Sequence, residues 1–226
     1  MNKSKRNDYF LQRGFTAEFR AGGEDEQKSG HIVEGLAAVY EQETIIRDFW
    51  GDFTEVIRAG AFNETDFSDV RLLVNHDFNG IALARSRRNN RSDKPNTMQL
   101  WVDEKGVNIK ADLDTENNEQ ARALYSAIER GDMDSMSFCF YVSPENERWN
   151  DDCTRREILK IDKVIEVSAV NFPAYGGASI DSRSLDSDKR ALENARKQLL
   201  DNRAKEQKPK NYKISTIVKM YNTKGV

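Results

Sequence analysis

Apolar and polar residues alternate with a period of two in several short segments of the chain. The clearest is MSFCFYV, in which bulky apolar residues take every second position from Met136 to Val142. Ser137, Cys139 and Tyr141 take the positions between them. Because successive side chains of a strand point to opposite faces, this pattern predicts a strand with one bulky and one smaller face.

Other segments show the same short apolar patterns between glycine-rich or charged stretches, which is typical of strands. RLLV predicts a buried strand whose end places Asn75, His76 and Asp77 at a sheet edge. In the segment VIEVSAV, Glu166 and Ser168 are expected to share one face. The remaining predicted strands lie in GFTAEFRA, HIVEGLAAVY, DFTEVIRAGAF, REILKID and the hairpin TMQLWVDEKGVNIKADLD.

Two segments have helical periodicity. NNEQARALYSAIERGD predicts a helix that is capped by Asn117, has Gln120 in the capping-box position and stops at Gly131. ALENARKQLLDNRAKEQ predicts a thinner amphipathic helix on Leu192, Ala195 and Leu199. Many short strands with one strong helix indicate a mostly β fold, either a small barrel or two packed sheets.

The pattern divides the chain into three parts. Residues 1–13 are polar and predict a flexible N-terminus, and residues 14–176 predict one domain with one core. Residues 177–226 combine a linker rich in Gly, Ser and Asp, the amphipathic helix and a basic end. Because this last part carries little apolar surface, we expect it to contribute almost nothing to stability.

Composition removes several classes of function. The 35 basic and 38 acidic residues give a net charge of −3 and are spread along the chain, so no field favours nucleic acid or anionic membranes. No apolar run approaches the roughly 20 residues that cross a bilayer. The N-terminus has no signal-peptide pattern, and two cysteines cannot form a disulfide framework, so we expect a cytoplasmic protein. We expect no metal and no cofactor.

Three residues are candidates for nucleophilic catalysis, because a serine needs a base and a third group that supports the base. Ser137 lies on the smaller face of its strand, His76 closes another strand, and Glu166 lies among apolar residues. Each also has a purely structural interpretation, and spacing alone does not decide between the two. Only one other histidine, His31, is present.

Other functions compete with a serine hydrolase. A cysteine hydrolase would use Cys139, which shares a strand face with Ser137, together with His76. A binding or capsid-assembly module would use the same fold without catalysis, and a Ser137–His76 hydrogen bond would argue against it. A glycosidase is disfavoured, because no pair of acidic residues stands at a telling position.

An ordered set of motifs resembles a known family. AAVY, EVIRAGAF, LLVNHD, ADLD, GDMDSMSFCF and EVSAVNFPAY follow the order and spacing of the phage prohead maturation proteases, which are similar to herpesvirus assemblins. The resemblance spans about residues 14–180. It implies a seven-stranded, mostly antiparallel closed barrel that is surrounded by helices.

The resemblance also implies roles for single residues. His76 of the NHD motif would be the base, Ser137 the nucleophile and Glu166 the third member, with Asp162 as the second choice for that position. Cys139 stands where glycine is frequent in the family. Backbone N–H groups of residues 172–175 would supply the oxyanion donors.

The implied substrates are segments of the scaffold or of the major capsid protein, and the protease itself. The enzyme would act inside the procapsid, in the cytoplasm of the bacterial host. Residues 177–226 would target the enzyme into the procapsid or be cut away. Assemblins are activated by dimerisation, so a homodimer stays open for this chain.

Overall fold

The computed structural model describes residues 8–15, 19–21, 31–47, 51–87, 96–172 and 182–206. These residues form strands, two α-helices and a 3₁₀ turn at Pro144–Asn146. The helices are α1, Glu119–Glu129, and α2, Ser182–Glu206. The strands are β1 Tyr9–Phe15, β2 Phe19–Ala21, β3 His31–Val39, β4 Thr44–Ile46, β5 Phe53–Ile57, β6 Val70–Val74, β7 Ala84–Ser86, β8 Met98–Val102, β9 Gly106–Leu113, β10 Ser135–Val142, β11 Glu147–Trp149, β12 Arg155–Ile158 and β13 Lys163–Val170.

The strands of the described residues form three sheets. The first has the order β1-β10-β13-β6-β7, the second β11-β12-β5-β4, and the third β2-β3-β9-β8. Neighbouring strands are antiparallel except for β13 with β6 and β12 with β5, which are parallel. The mostly β fold and the mostly antiparallel pairing predicted from the sequence are therefore observed.

The closed barrel implied by the resemblance is not confirmed. In the described part of the chain, β1 and β7 stand at opposite edges of the first sheet and are not paired with each other, so the sheet is open. The free edge of β1 is instead covered by α2, where the Phe10 N–H donates to Ser187 Oγ at 3.2 Å. A helix can protect an exposed strand edge as closure would, because it satisfies the edge's polar groups.

The bulky face of β10 lies in the hydrophobic core, as the alternation predicted. The side chains of Met136, Phe138, Phe140 and Val142 are at most 1% exposed. Phe138 and Phe140 stack with ring centroids 4.6 Å apart. The burial of this face fixes the direction in which the intervening residues of β10 point.

The helix α1 differs slightly from its prediction. Its N-cap is Asn118 rather than Asn117, and the Asn118 side chain accepts from the backbone N–H groups of Gln120 and Ala121. An Asn side chain reaches the N–H groups two and three residues on, which places the cap one residue later than the capping-box pattern suggested. Buried Ala121, Leu124 and Ile128 form the predicted apolar face.

The N-terminal segment is more ordered than its polar composition indicated. Residues 9–13, which we expected to be flexible, belong to β1, which pairs with β10 along its whole length. Tyr9 and Leu11 are buried in the core, and the polar residues Gln12 and Arg13 are buried as well. The buried polar residues concealed the strand pattern in the sequence.

The second helix is also part of the packed structure. α2 contains the predicted amphipathic helix, and Leu192 is buried on it. Asp188 is completely buried, and Asn194 donates a hydrogen bond to the hydroxyl of Tyr9 at 2.9 Å. These contacts do not fit our expectation that the chain beyond residue 176 adds almost nothing to stability. Neither of the two described helices is long and apolar enough to span a bilayer.

A buried cluster of charges joins α2 to the sheets. Arg13 of β1 contacts Glu55 of β5 at 2.5 Å and Asp188 of α2 at 2.7 Å. Arg156 of β12 contacts the same two carboxylates, each at 3.0 Å, and also Glu147. Breaking a buried pair of charges leaves the remaining charge uncompensated, so this cluster constrains how the elements assemble.

The pKa values of the two shared carboxylates, Glu55 and Asp188, shift in opposite directions. Burial alone would raise the pKa of Glu55, but Arg13 and Arg156 outweigh burial and lower this pKa below its usual value of 4.5. Burial also raises the pKa of Asp188, and there it outweighs the two arginines. The charge of Glu55 therefore stabilises the fold above pH 4.5, and this stabilisation is lost as the pH falls below that value.

We predict that Glu55→Gln lowers the free energy of unfolding at neutral pH by about 3 to 5 kcal/mol, because it leaves two buried arginines short of one carboxylate. Urea denaturation of the full chain measures the change. Glu43→Gln is the matched control, since Glu43 is 59% exposed in its pair with Arg155 and should change stability by less than about 1 kcal/mol. Equal stability of the two variants would contradict the role of the cluster.

Candidate active site

Ser137 lies in the middle of the first sheet. Its neighbours across the strands are Gly14 of β1 on one side and Ser168 of β13 on the other. The alternation of β10 turns its side chain away from the bulky face, and only 1% of the residue is exposed. The serine is therefore held rigidly by strands on both sides.

His76 is placed by a turn that follows β6. Asn75 and His76 both have positive φ angles, 50° and 56°, which few residues other than glycine adopt. The turn is anchored to β13, because the Asn75 N–H donates to the carbonyl of Ala169 and the His76 N–H donates to Ser168 Oγ. Such strained backbone persists only where its surroundings impose it, and it is frequent at active sites.

The structure brings Ser137, His76 and Glu166 together in a row. His76 Nε2 is 2.7 Å from Ser137 Oγ, and His76 Nδ1 is 2.7 Å from Glu166 Oε1. Because an ionised carboxylate only accepts hydrogen bonds, Glu166 favours the tautomer with the proton on Nδ1. Nε2 then has a free lone pair that can accept the proton of the serine hydroxyl.

Glu166 is held in place by a residue that sequence reasoning did not single out. Ser168 Oγ donates to Glu166 Oε2 at 2.6 Å and accepts from the backbone N–H of His76 at 3.1 Å. One hydroxyl therefore positions both the carboxylate and the turn that carries the imidazole. The position of Ser168 in the EVS motif, two residues after Glu166, was the available signal.

Asp162, the second choice for the third member, is engaged elsewhere. Its carboxylate accepts from the Ser143 N–H at 2.5 Å and from Asn146 Nδ2 at 2.8 Å. Asp162 lies four residues before Glu166, a spacing that would place both on one face of an uninterrupted strand. However, Asp162 precedes β13, and the pairing of β10 with β13 shifts between Cys139 and Phe140, so a bulge interrupts the period of two.

Cys139 also reaches His76, but from a different direction. Its Sγ lies 3.5 Å from His76 Nδ1, the nitrogen that Glu166 approaches more closely. An Nδ1 that donates its proton to Glu166 has no lone pair for a thiol proton. Cys139 is completely buried, so the geometry favours Ser137 over Cys139 as the partner of the imidazole.

The Ser137 hydroxyl has a second acceptor, the backbone carbonyl of Arg13 at 2.9 Å. A hydroxyl carries one proton, so it donates either to this carbonyl or to His76. The carbonyl belongs to β1, in the segment that we expected to be flexible. A main-chain contact of this kind depends on strand register and leaves no signal in the sequence.

The surface beside His76 is an apolar groove of about 530 Å³. Asn75 and Asp77, the residues on either side of His76, line one of its walls, and α1 lines the other. Asn75 Oδ1 also accepts from the N–H of Asn171 at 3.1 Å. Of the predicted oxyanion donors, only residue 172 is described, and residues 173–175 lie outside the described residues.

The chain was compared with known proteins. A family model described as caudovirus prohead serine protease matches residues 18–193. A search of curated protein sequences gave no match. Among solved structures, the bacteriophage T4 capsid assembly protease is similar with a TM-score of 0.44 and 13% identity, over 73% of this chain and 99% of the T4 chain.

The resemblance seen in the sequence motifs is thereby confirmed. The match of the family model starts before β3 and ends within α2, so it includes His76, Ser137 and Glu166. A match over most of the 226 residues establishes membership. The chain belongs to the caudovirus prohead serine protease family.

Proposed function

We propose that the chain is a serine endopeptidase in which Ser137 is the nucleophile, His76 the general base and Glu166 the residue that orients and supports His76. The observation that carries the proposal is the row of two 2.7 Å contacts from Ser137 through His76 to Glu166. A non-catalytic assembly module would not require these two contacts. The same contacts weigh against a cysteine hydrolase, because the imidazole nitrogen nearest to Cys139 is paired with Glu166.

The reaction would proceed through an acyl-enzyme. Ser137 Oγ attacks the peptide carbonyl carbon while its proton moves to His76 Nε2. The carbon–nitrogen bond then breaks, and Nε2 returns the proton to the leaving amine. A water molecule repeats the sequence on the ester, with Nε2 again taking and returning one proton.

Glu166 would contribute by stabilising the imidazolium that forms at each step. It is 1% exposed, so water screens its charge poorly and its interaction with the charged imidazole is strong. Ser168 would keep the carboxylate oriented. Ser137 is itself almost completely buried, so we expect the substrate to approach past His76, whose side chain is 10% exposed.

We infer the substrates from family membership. They are segments of the major capsid protein and of the scaffold, and the protease itself, cleaved inside the procapsid in the host cytoplasm. Because α2 packs against β1, delivery to the procapsid or removal by self-cleavage would fall to residues 207–226, which lie outside the described residues.

We predict that Ser137→Ala and His76→Ala abolish the shortening of the major capsid protein when each variant is co-expressed with its cognate capsid protein. Loss of the hydroxyl or of the base should slow cleavage by at least about a thousandfold. Gel electrophoresis and mass spectrometry of the capsid protein measure cleavage. Ser135→Ala is the control, because Ser135 is equally buried in β10 but its hydroxyl donates to Asp134.

Processing by Ser137→Ala at the wild-type rate would reject the serine mechanism. An inactive wild type would reject the proposed function under the conditions of the test. Circular dichroism of each purified variant checks that the fold is retained.

The third member can be tested by comparing two carboxylates. Glu166→Gln should reduce kcat by roughly 100- to 10,000-fold, because the amide keeps the shape but loses the charge that supports the imidazolium. Asp162→Asn should leave kcat within a few fold, since its partners are Ser143 and Asn146. The reverse order of the two effects would show that Asp162 is the third member.

A further inference from the structure

His76 and two neighbouring side chains place three potential metal ligands close together. The proposed reaction uses only two of these three residues. The ligand atoms are His76 Nδ1, Cys139 Sγ and a carboxylate oxygen of Glu166, and all three atoms lie within 4.8 Å of one another. Among the residues that the structure describes, this is the one such group of histidine, cysteine and acidic side chains. The residue without a role in the reaction is Cys139.

The convergence follows from the strand pairing. Cys139 and Glu166 are direct partners across β10 and β13, so their side chains lie side by side on the same face. The turn after β6 brings His76 over both of them. Imidazole, thiolate and carboxylate are the three side-chain ligands that Zn²⁺ prefers.

The distance between the nitrogen and sulfur ligands fits this ion. A tetrahedral zinc ion with Zn–S near 2.3 Å and Zn–N near 2.0 Å holds its sulfur and nitrogen ligands about 3.5 Å apart. The distance from Cys139 Sγ to His76 Nδ1 is 3.5 Å. Glu166 Oε1, at 2.7 Å from Nδ1, would have to withdraw by about half an ångström to reach ligand spacing.

We propose that His76, Cys139 and Glu166 form an inhibitory Zn²⁺ site within the catalytic row, an inference whose inhibitory effect rests on the proposed function. The ion binds the lone pair of Nδ1, so the imidazole proton resides on Nε2. Nε2 then donates a hydrogen bond and cannot accept the proton of Ser137. Zinc thus removes the general base without contacting the nucleophile.

The proton balance gives a further consequence. The thiol of Cys139 loses its proton to solvent when the thiolate binds zinc. The imidazole stays neutral and only exchanges the position of its proton, from Nδ1 to Nε2. One proton is therefore released to solvent for each ion bound.

The experiment uses the purified full chain with Zn²⁺ in a metal buffer and the capsid protein as substrate. Wild type should lose cleavage as free Zn²⁺ rises and recover it on addition of a chelator. Cys139→Ala should cleave at a rate similar to wild type and require at least about tenfold more Zn²⁺ for the same inhibition. Cys153→Ala is the matched control, because Cys153 is also a buried cysteine outside any disulfide but lies against Leu192 of α2.

A second measurement does not depend on activity. Wild type and Cys153→Ala should bind one Co²⁺ and show the near-ultraviolet absorption band of a thiolate–cobalt bond, whereas Cys139→Ala should lack this band. Equal zinc sensitivity of wild type and Cys139→Ala, or absence of the cobalt band in wild type, would overturn the site. If wild type cleaves no substrate, the proposed function fails, and the cobalt spectrum alone decides whether the metal site exists.

Discussion

The pairing of β10 with β13 is the constraint on which the site depends. It sets Ser137 opposite Ser168 and Cys139 opposite Glu166, so that the hydroxyl and the carboxylate share a face. A slip of one residue would turn every side chain of one strand to the other face, and the row could not form. The burial of the bulky face of β10 opposes such a slip, because it would expose large apolar side chains to polar surroundings.

His76 joins this pair of strands through its main chain as well as its ring. β6 runs parallel to β13, and the turn after it is tied down by the hydroxyl of Ser168. His76 has a left-handed backbone conformation. The hydrogen bonds of its backbone N–H and of both ring nitrogens compensate for the cost of this conformation. The same side chain, Ser168, also donates to Glu166, so one hydroxyl restrains both His76 and Glu166.

The outer strand of the site is held by charges rather than by apolar contacts alone. Arg13 pairs with Glu55 and Asp188 inside the protein, while its carbonyl oxygen contacts Ser137. Through Asp188, the helix α2 is connected to the strand next to Ser137. The family match also continues into α2, to residue 193, beyond the boundary at residue 176 that the sequence suggested.

The sequence predicted the parts of the site that follow a regular period, and it failed where the regular period ends. β10 and the position of His76 at the end of a strand follow from simple patterns, and the family motifs selected Ser137 and Glu166. The bulge opposite Cys139 and Phe140 interrupts the alternation between Asp162 and Glu166. No residue type in the sequence predicts this bulge. Most of β1 was not predicted, because Arg13 is polar. Burial of Arg13 becomes favourable only through Glu55 and Asp188, which lie 42 and 175 residues away in the sequence.

The identity of the nucleophile is tested most directly by labelling the purified chain with a fluorophosphonate and locating the label by peptide mass spectrometry. These reagents phosphonylate a serine only when a neighbouring base activates it. We expect a label on Ser137 in wild type and none in His76→Ala. A label on another serine, or equal labelling of His76→Ala, would contradict the role of Ser137 as a nucleophile activated by His76.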